Sequence, residues 1–363
     1  MFKKFQNNSR YTISAVSQGK RIIIKPGEIV SGPDELSQYN GLAEVTKKTS
    51  YSMDITPMNI LDMNRAEVDA TIDLVNNLDT TKSYTGYQKK PEHKTFSIIT
   101  LTHNKKTYID MLNTLKIQET NSTFELIPVF NHQNEFKSCA QALNHGMSLA
   151  NSDYYIITHQ DLLVPKYWIQ KFKEHFDRFE KQHTKLGFIG IAGTGKTGKA
   201  SSSDYGALYL SNSSASITGR DITFATMMRQ QWGSYKEVQC LDECAMACRA
   251  DLGIKYDEVN FDHYHFYGAD ICLYAISKGY KNFAIDSDCI HLSDGQQNLV
   301  HPAHQKSFLE HGSRLFKKWR DKIPYFRTTT SAFYGPEKIW SPLIFQDVNR
   351  KYGTKVPLEI RVM

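Results

Sequence analysis

Phe96-Ser97-Ile98-Ile99-Thr100-Leu101 decides the fold. An uncharged, apolar and β-branched run of this kind is the texture of a strand buried on both faces, as parallel sheets require. Helical spacing follows from about Lys106 to Ile117, and Phe124 to Phe130 repeats the strand texture. Strand, helix, strand makes a β-α-β unit, in which the helix carries the chain back so that the two strands run parallel.

The alternation continues outward. A helix from Phe136 to Ala150 leads to the strand Tyr154-Tyr155-Ile156-Ile157-Thr158, and a helix from Tyr167 to Lys181 leads to a strand from Leu186 to Ala192. The expected fold class is therefore α/β: a Rossmann-like α/β/α sandwich around a mostly parallel sheet. Upstream, Tyr11 to Val16 and Arg21 to Ile24 are short β-like runs set off by Lys25-Pro26-Gly27-Glu28 and Ser31-Gly32-Pro33-Asp34. Residues 1–50 thus read as a small β module, 51–92 as a linker with one helix around Met63 to Leu78, 93–325 as the main domain, and 326–363 as a C-terminal extension.

Composition agrees with a folded protein of this size. Hydrophobic residues make up 40% and charged residues 23% of the 363, with no low-complexity tract to argue for disorder. The net charge of +6 suits an anionic ligand but is spread too evenly for a nucleic-acid-binding stripe. Nineteen Phe and 20 Tyr furnish flat amphipathic rings for a core and for stacking on sugars or bases. The start, Met1-Phe2-Lys3-Lys4-Phe5-Gln6-Asn7, lacks the apolar stretch of a secretory signal, and no window reaches the length of a membrane span, so a cytoplasmic protein is expected. The six cysteines show no disulfide framework and are expected to be reduced.

Ligands of open parallel sheets sit at the carboxyl ends of the strands. The residues there are Thr102-His103-Asn104, Asn131-His132 and His159-Gln160-Asp161, all polar. Asp161 offers the hard oxygen that Mg²⁺ or Mn²⁺ prefers, and such an ion bridges phosphate oxygens and stabilises a departing nucleotide. A plainer role for Asp161 is to cap the helix that follows.

The strand ending His159-Gln160-Asp161, with Asn144-His145-Gly146 before it, resembles the family-two-like glycosyltransferases of the GT-A fold. Leu241 to Ala247, Phe261 to Tyr267, Asp270-Ile271-Cys272-Leu273 and Lys278-Gly279-Tyr280-Lys281 leading to Ile290-His291 resemble that family's acceptor side in the same order. The resemblance covers about two thirds of the chain. It implies transfer of a sugar from a nucleoside-diphosphate sugar, a UDP-sugar foremost, to an acceptor hydroxyl, with Mn²⁺ or Mg²⁺ as cofactor. Carried over residue by residue, it puts the nucleotide sugar on Thr102, His103, Asn104 and Asn131, with Asn144 and Gln160 beside them. It puts the metal on Asp161, His159 and His291, while His291 reads equally as a partner for a loop carbonyl. The polar loop Leu292-Ser293-Asp294-Gly295 reads as a lid over the diphosphate. The acceptor stays open among carbohydrate, lipid-linked, protein and nucleic-acid-base classes, and the first 50 residues read equally as a docking module or as packing.

One position departs from the pattern. Many inverting members carry an acidic residue two positions before the Asp that opens the helix after the acceptor loop, and there it takes the proton of the attacking hydroxyl. Here that position is Gly268, in Tyr267-Gly268-Ala269-Asp270. Asp270 is a candidate base or the N-cap of a helix from Ile271 to Ser277; Asp262, His263, His265 and Asp242 are further candidates. A protein that kept the fold and lost its base is the corresponding alternative.

Three other signals carry plainer readings. Gly190-Ile191-Ala192-Gly193-Thr194-Gly195-Lys196-Thr197 fits the phosphate-loop pattern of an ATPase, but the stretch after it is a poor helix former. Lys196 or Lys199 remains available to a phosphate. Cys240, Cys244 and Cys248 recur every four residues and read as small apolar groups on a packed helix. His301, His304 and His311 flank an amphipathic helix, and Trp168 and Trp232 read as core or as sugar-stacking rings.

Overall fold

The structure, a computed structural model, describes residues 57–83, 92–182, 185–195, 235–287, 289–292 and 298–363, together with short strands within 3–44 and 205–226. The chain divides into two compact units, Met1–Ile55 and Thr56–Met363. The first is a small β module. Lys3–Asn7 pairs antiparallel with both Ile29–Gly32 and Leu42–Glu44, and Ile13–Ser17 pairs with Lys20–Ile24.

The second unit holds a seven-stranded sheet. Its elements, in chain order, are α1 (Pro57–Asn76), β1 (Lys94–Thr102), α2 (Lys105–Leu115), β2 (Phe124–Phe130), α3 (Cys139–Leu149), β3 (Ser152–His159), α4 (Trp168–Gln182) and β4 (Leu186–Gly190). There follow β5 (Tyr235–Val238), β6 (Ala245–Arg249), α5 (Tyr267–Ser277), β7 (Lys281–Ile285) and α6 (Pro302–Trp319). The strand order is β5-β7-β4-β6-β3-β1-β2. β1, β2 and β3 run parallel, as do β4 and β7, whereas β6 lies antiparallel between β3 and β4, and β5 antiparallel on the outer edge. The mostly parallel sheet is as the sequence led us to expect.

Each face of the sheet carries its own core. Val68 and Val75 of α1, Met111 and Leu112 of α2, and Trp168, Phe172 and Phe176 of α4 pack on one face. Leu143 of α3, Ile271 and Leu273 of α5, and Phe308, Leu315 and Trp319 of α6 pack on the other. The result is an α/β/α sandwich. The helix expected within a linker covers the β2 edge instead. Asn64 Oδ1 accepts the N–H of Phe124 at 3.2 Å and Glu67 Oε1 accepts that of Leu126 at 2.8 Å, so α1 satisfies edge-strand donors that would otherwise need solvent or another chain.

Residues beyond 325 also join this body. β8 (Tyr325–Arg327), β9 (Ala332–Tyr334), β10 (Ile339–Ser341), α7 (Ile344–Tyr352) and β11 (Ile360–Arg361) form a four-stranded antiparallel sheet and its helix. Phe333 stacks on Phe326 at 4.4 Å and on Trp340 at 5.3 Å, and Trp340 lies so close to Gly312 of α6 that any side chain there would strike its ring.

Two local expectations need correction. The cysteine recurrence is not helical: Cys240 lies on the short strand Cys240–Leu241, Cys248 on β6, and Cys244 between them. All three are buried, because small side chains suit strands covered on both faces. The helix expected to open at Ile271 opens at Tyr267, with Phe266 as its N-cap at φ 64°, so Asp270 lies inside the first turn.

The phosphate-loop segment is also strand. Gly190 pairs with Met246 and Ala284, and Gly193 with Leu241. A Cβ on Gly190 would stand 2.9 Å from the Ala245 carbonyl oxygen, and one on Gly193 would stand 2.8 Å from that of Cys240. These glycines let neighbouring backbones approach, and Lys196, Thr197 and Lys199 lie outside the described residues.

Candidate active site

The pairing registers build the site. β1 and β3 are parallel with Leu101 opposite His159, which sets Thr102-His103-Asn104 beside Gln160 and Asp161. β6 runs the other way with Ala245 opposite Thr158, so the residues that precede it, Asp242 to Cys244, reach the edge that β3 leaves. The His159 N–H donates to the Cys244 carbonyl at 2.9 Å and fixes that junction. The short strand Cys289–His291 pairs with Leu162–Leu163, which delivers His291 to the same place.

His159, Asp161 and His291 therefore converge, with ligand atoms all within 4.8 Å of one another. His159 Nδ1 lies 3.3 Å from His291 Nε2, which lies 3.1 Å from Asp161 Oδ1. Adjacent ligands of an octahedral ion bound at about 2.1 Å stand roughly 3 Å apart, so the spacing fits a divalent cation. Two imidazoles and a carboxylate suit Mn²⁺ better than Mg²⁺, which prefers oxygen alone. His159 Nε2 lies 3.3 Å from the hydroxyl of buried Tyr267, a contact that orients the ring and leaves Nδ1 for the ion.

The electrostatics agree with that role. Burial opposes the charge of Asp161, yet the hydrogen bond and charge of His291, with His159 behind it, hold its carboxyl well below the usual carboxylate range. Burial, then the like charge of His291, lowers the pKa of His159, which favours the neutral ring that ligation needs.

Beside this cluster, Gln160 clasps the loop after β1. Its Oε1 accepts the Thr102 hydroxyl at 2.9 Å and the backbone N–H groups of His103 at 2.9 Å and Asn104 at 3.0 Å. Asn104 in turn caps α2 by accepting from Lys106 N at 3.0 Å, while His103 keeps its ring exposed at the edge. Asn131 is buried and tied to Phe136 and to the Tyr264 hydroxyl, which links the end of β2 to the loop before α5. Asn144 is not brought to this edge. Its amide is engaged by Tyr256 and Glu258, where it pins a loop to α3.

The expected catalytic groups are placed otherwise than as a free base. Asp270 is neither exposed nor a cap: it is 3% exposed, accepts from Trp319 Nε1 at 2.7 Å and pairs with Lys318 at 2.8 Å. Asp262 pairs with His311 at 2.8 Å and Arg314 at 2.5 Å. His265 packs on Phe308, and burial, followed by the charges of His311, His304 and His263, pushes its pKa down to about 4. Exposed His263 packs edge-on against Tyr264 and His311. Asp242 accepts the Cys244 N–H at 3.1 Å and lies near enough to His159 for its charge to be felt there. Trp168 is wholly buried, and Trp232 and residues 293–295 lie outside the described residues.

The residues missed on the sequence are Tyr267 and Glu243. Glu243 follows Asp242 at the mouth of β6, and its Oε1 accepts the Gly268 N–H at 3.1 Å. Burial, then the neighbouring Asp242 charge, pushes its pKa up to about 8, against the opposing pull of backbone N–H groups of Gly268, Ala269 and Phe266. The sequence carried no signal for it, because β6 is small and apolar throughout and shows no strand alternation.

Among solved structures, TarS 1–349 from S. aureus matches at 14% identity and TM-score 0.35, over 63% of this chain and 73% of that one. The same protein in complex with UDP-GlcNAc matches at 14% identity and TM-score 0.36, over 63% and 74%. The mannosyltransferase PcManGT from Pyrobaculum calidifontis, in complex with GDP-Man and Mn²⁺, matches at 12% identity and TM-score 0.39, over 81% and 80%. No curated protein matches the chain. No helix among the described residues is long and apolar enough to cross a membrane. A family model described as a glycosyltransferase-like family matches residues 97–311, more than half of the sequence, and the chain belongs to that family.

Proposed function

We propose that the protein transfers a sugar from a nucleoside-diphosphate donor, a UDP-sugar in the reading carried into the test, to an acceptor hydroxyl with the help of Mn²⁺. The observation that carries this reading is the His159, Asp161 and His291 cluster at the carboxyl edge of a parallel sheet. Asp161 Oδ1, His159 Nδ1 and His291 Nε2 would hold the ion, whose chemistry is to neutralise the diphosphate as it leaves. Tyr267 orients His159, and Gln160 fixes the backbone of His103 and Asn104 so that the nucleotide meets a preformed edge.

A binding protein that has lost its base is a second reading, favoured by Gly268 and by the ion pair that occupies Asp270. It predicts donor binding without turnover. The ATPase reading lacks support, because Gly190 and Gly193 to Thr194 are committed to strand pairing.

The test is a thermal shift and donor-hydrolysis panel of UDP-sugars, with and without Mn²⁺, on wild type and Asp161→Ala. A donor at 100-fold its Kd stabilises by about 2.7 kcal/mol. The expected result is a Mn²⁺-dependent rise in Tm with one donor that disappears in Asp161→Ala. Stabilisation by ATP and by no UDP-sugar would overturn the reading.

A further inference from the structure

Gly268 cannot act as a base, yet the space that a side chain at 268 would fill is already filled. A Cβ built there would come within 2.5 Å of Glu243 Cγ and 3.3 Å of its Cδ. A carboxylate reaching in from 243 thus takes the volume that one reaching out from 268 would take. Its placement follows from the topology. β6 enters the sheet antiparallel beside β3, so Glu243 emerges where His159 and Asp161 emerge, and the first residue of α5, Tyr267, touches both neighbourhoods.

Partners separate Glu243 from Asp270 and Asp262. Asp270 is held by Lys318 and Trp319, and Asp262 by His311 and Arg314. Among the described residues no Lys, Arg or His pairs with Glu243, which retains partial exposure. A carboxylate without a fixed cation is free to accept a proton.

We propose, resting on the transferase reading above, that Glu243 is the catalytic base of this protein, supplied from the turn before β6 in place of a side chain at 268. In the step it serves, a carboxylate oxygen of Glu243 takes the proton of the acceptor hydroxyl. The hydroxyl oxygen forms the new bond to the anomeric carbon of the sugar. The bond from that carbon to the diphosphate oxygen breaks, and its electron pair leaves with the nucleoside diphosphate. Water in place of the acceptor gives donor hydrolysis by the same transfers. The raised pKa suits the task, since general bases are most effective when poised near the working pH.

Glu243 also caps α5 through the Gly268 N–H, and the test must separate the two roles. Glutamine keeps an oxygen for that N–H and cannot take the proton. With UDP-glucose, UDP-galactose and UDP-N-acetylglucosamine as probes and Mn²⁺ present, Glu243→Gln is expected to lower hydrolysis at least about 100-fold while the donor-induced rise in Tm is unchanged. Truncation to alanine opens the space at 268, so Glu243→Ala with Gly268→Asp is expected to recover at least tenfold over Glu243→Ala alone. Hydrolysis by Glu243→Gln within about threefold of wild type, with donor binding intact, overturns the assignment and leaves the transferase reading standing. A wild type that no UDP-sugar stabilises overturns that reading and this assignment with it.

Discussion

The acceptor segment and the strand edge use the same residue type in opposite ways. Along residues 257–270, Asp257 and Asp270 share Lys318 at 2.7 and 2.8 Å, and Asp262 meets His311 and Arg314, all three partners coming from α6. At the strand edge, Asp161 meets the imidazole of His291 with His159 beside it, Glu243 meets backbone amides, and among the described residues neither has a Lys or Arg partner. The first set bolts α6 to the loop that leads into α5. The second leaves carboxylates without a fixed Lys or Arg among the described residues in a partly desolvated place, which suits a metal or a transferable proton.

The largest expected effect comes from treating a bolt as if it were a catalyst. Asp270→Ala leaves Lys318 short of one partner and strands the Trp319 indole N–H in the core, where Trp319 is 1% exposed. Breaking a buried pair in this way costs about 3–5 kcal/mol. Urea unfolding should show the midpoint fall accordingly, and activity should fall only as the folded fraction does. A variant of wild-type stability without activity would break the comparison and return Asp270 to the chemistry.

Glu243→Gln sharpens the other side through pH. The folded carboxyl has a pKa near 8 against an ordinary value of 4.5. Between these values the native state holds a proton that the unfolded chain releases, so wild-type stability is lost as pH rises from about 4.5 to 8 and then levels. Glutamine carries no such penalty. The variant should match wild type near pH 4.5 and exceed it by about 1–3 kcal/mol at pH 8 to 9, after allowing for partial exposure, as melting curves across that range would show. A gap independent of pH would mean that the carboxylate is not desolvated as described.

Much of the sheet was legible because its strands are buried on both faces and read as unbroken apolar runs, from Phe96 to Leu101 and from Tyr154 to Thr158. β6 was not. Ala245-Met246-Ala247-Cys248 is small and apolar throughout, so the strand carries no alternation, and the four-residue recurrence of cysteine imitates a helix. Following each strand to its end led to His159 and Asp161, and the family resemblance added His291, which the structure brings beside them. The roles of Asp270 and Glu243 could not be found in that way. The partner of Asp270 lies 48 residues downstream on α6, and Glu243 meets Gly268 across 25 residues, through an antiparallel strand that was not read. Asp270 read as the cap of a helix from Ile271 to Ser277, whereas the left-handed turn at Phe266 starts the helix earlier.

The smallest effect belongs to Asp262, whose carboxylate sits at the exposed end of the bolt. Its side chain is 52% exposed and that of Arg314 40%, so water and salt screen the pair heavily. Hydrogen bonds from His311 and Arg314 oppose the desolvation that would raise the Asp262 pKa and bring it below the usual range. Exposed pairs of this kind contribute about 0–1 kcal/mol. Asp262→Asn removes the charge while keeping an oxygen for His311 or Arg314, so unfolding should shift by no more than that, and the shift should shrink further in 1 M salt. Donor hydrolysis should be unchanged. A large loss of hydrolysis with stability intact would show that this carboxylate, despite its two partners, faces the acceptor, and the division between bolting and reacting carboxylates would have to be redrawn at residue 262.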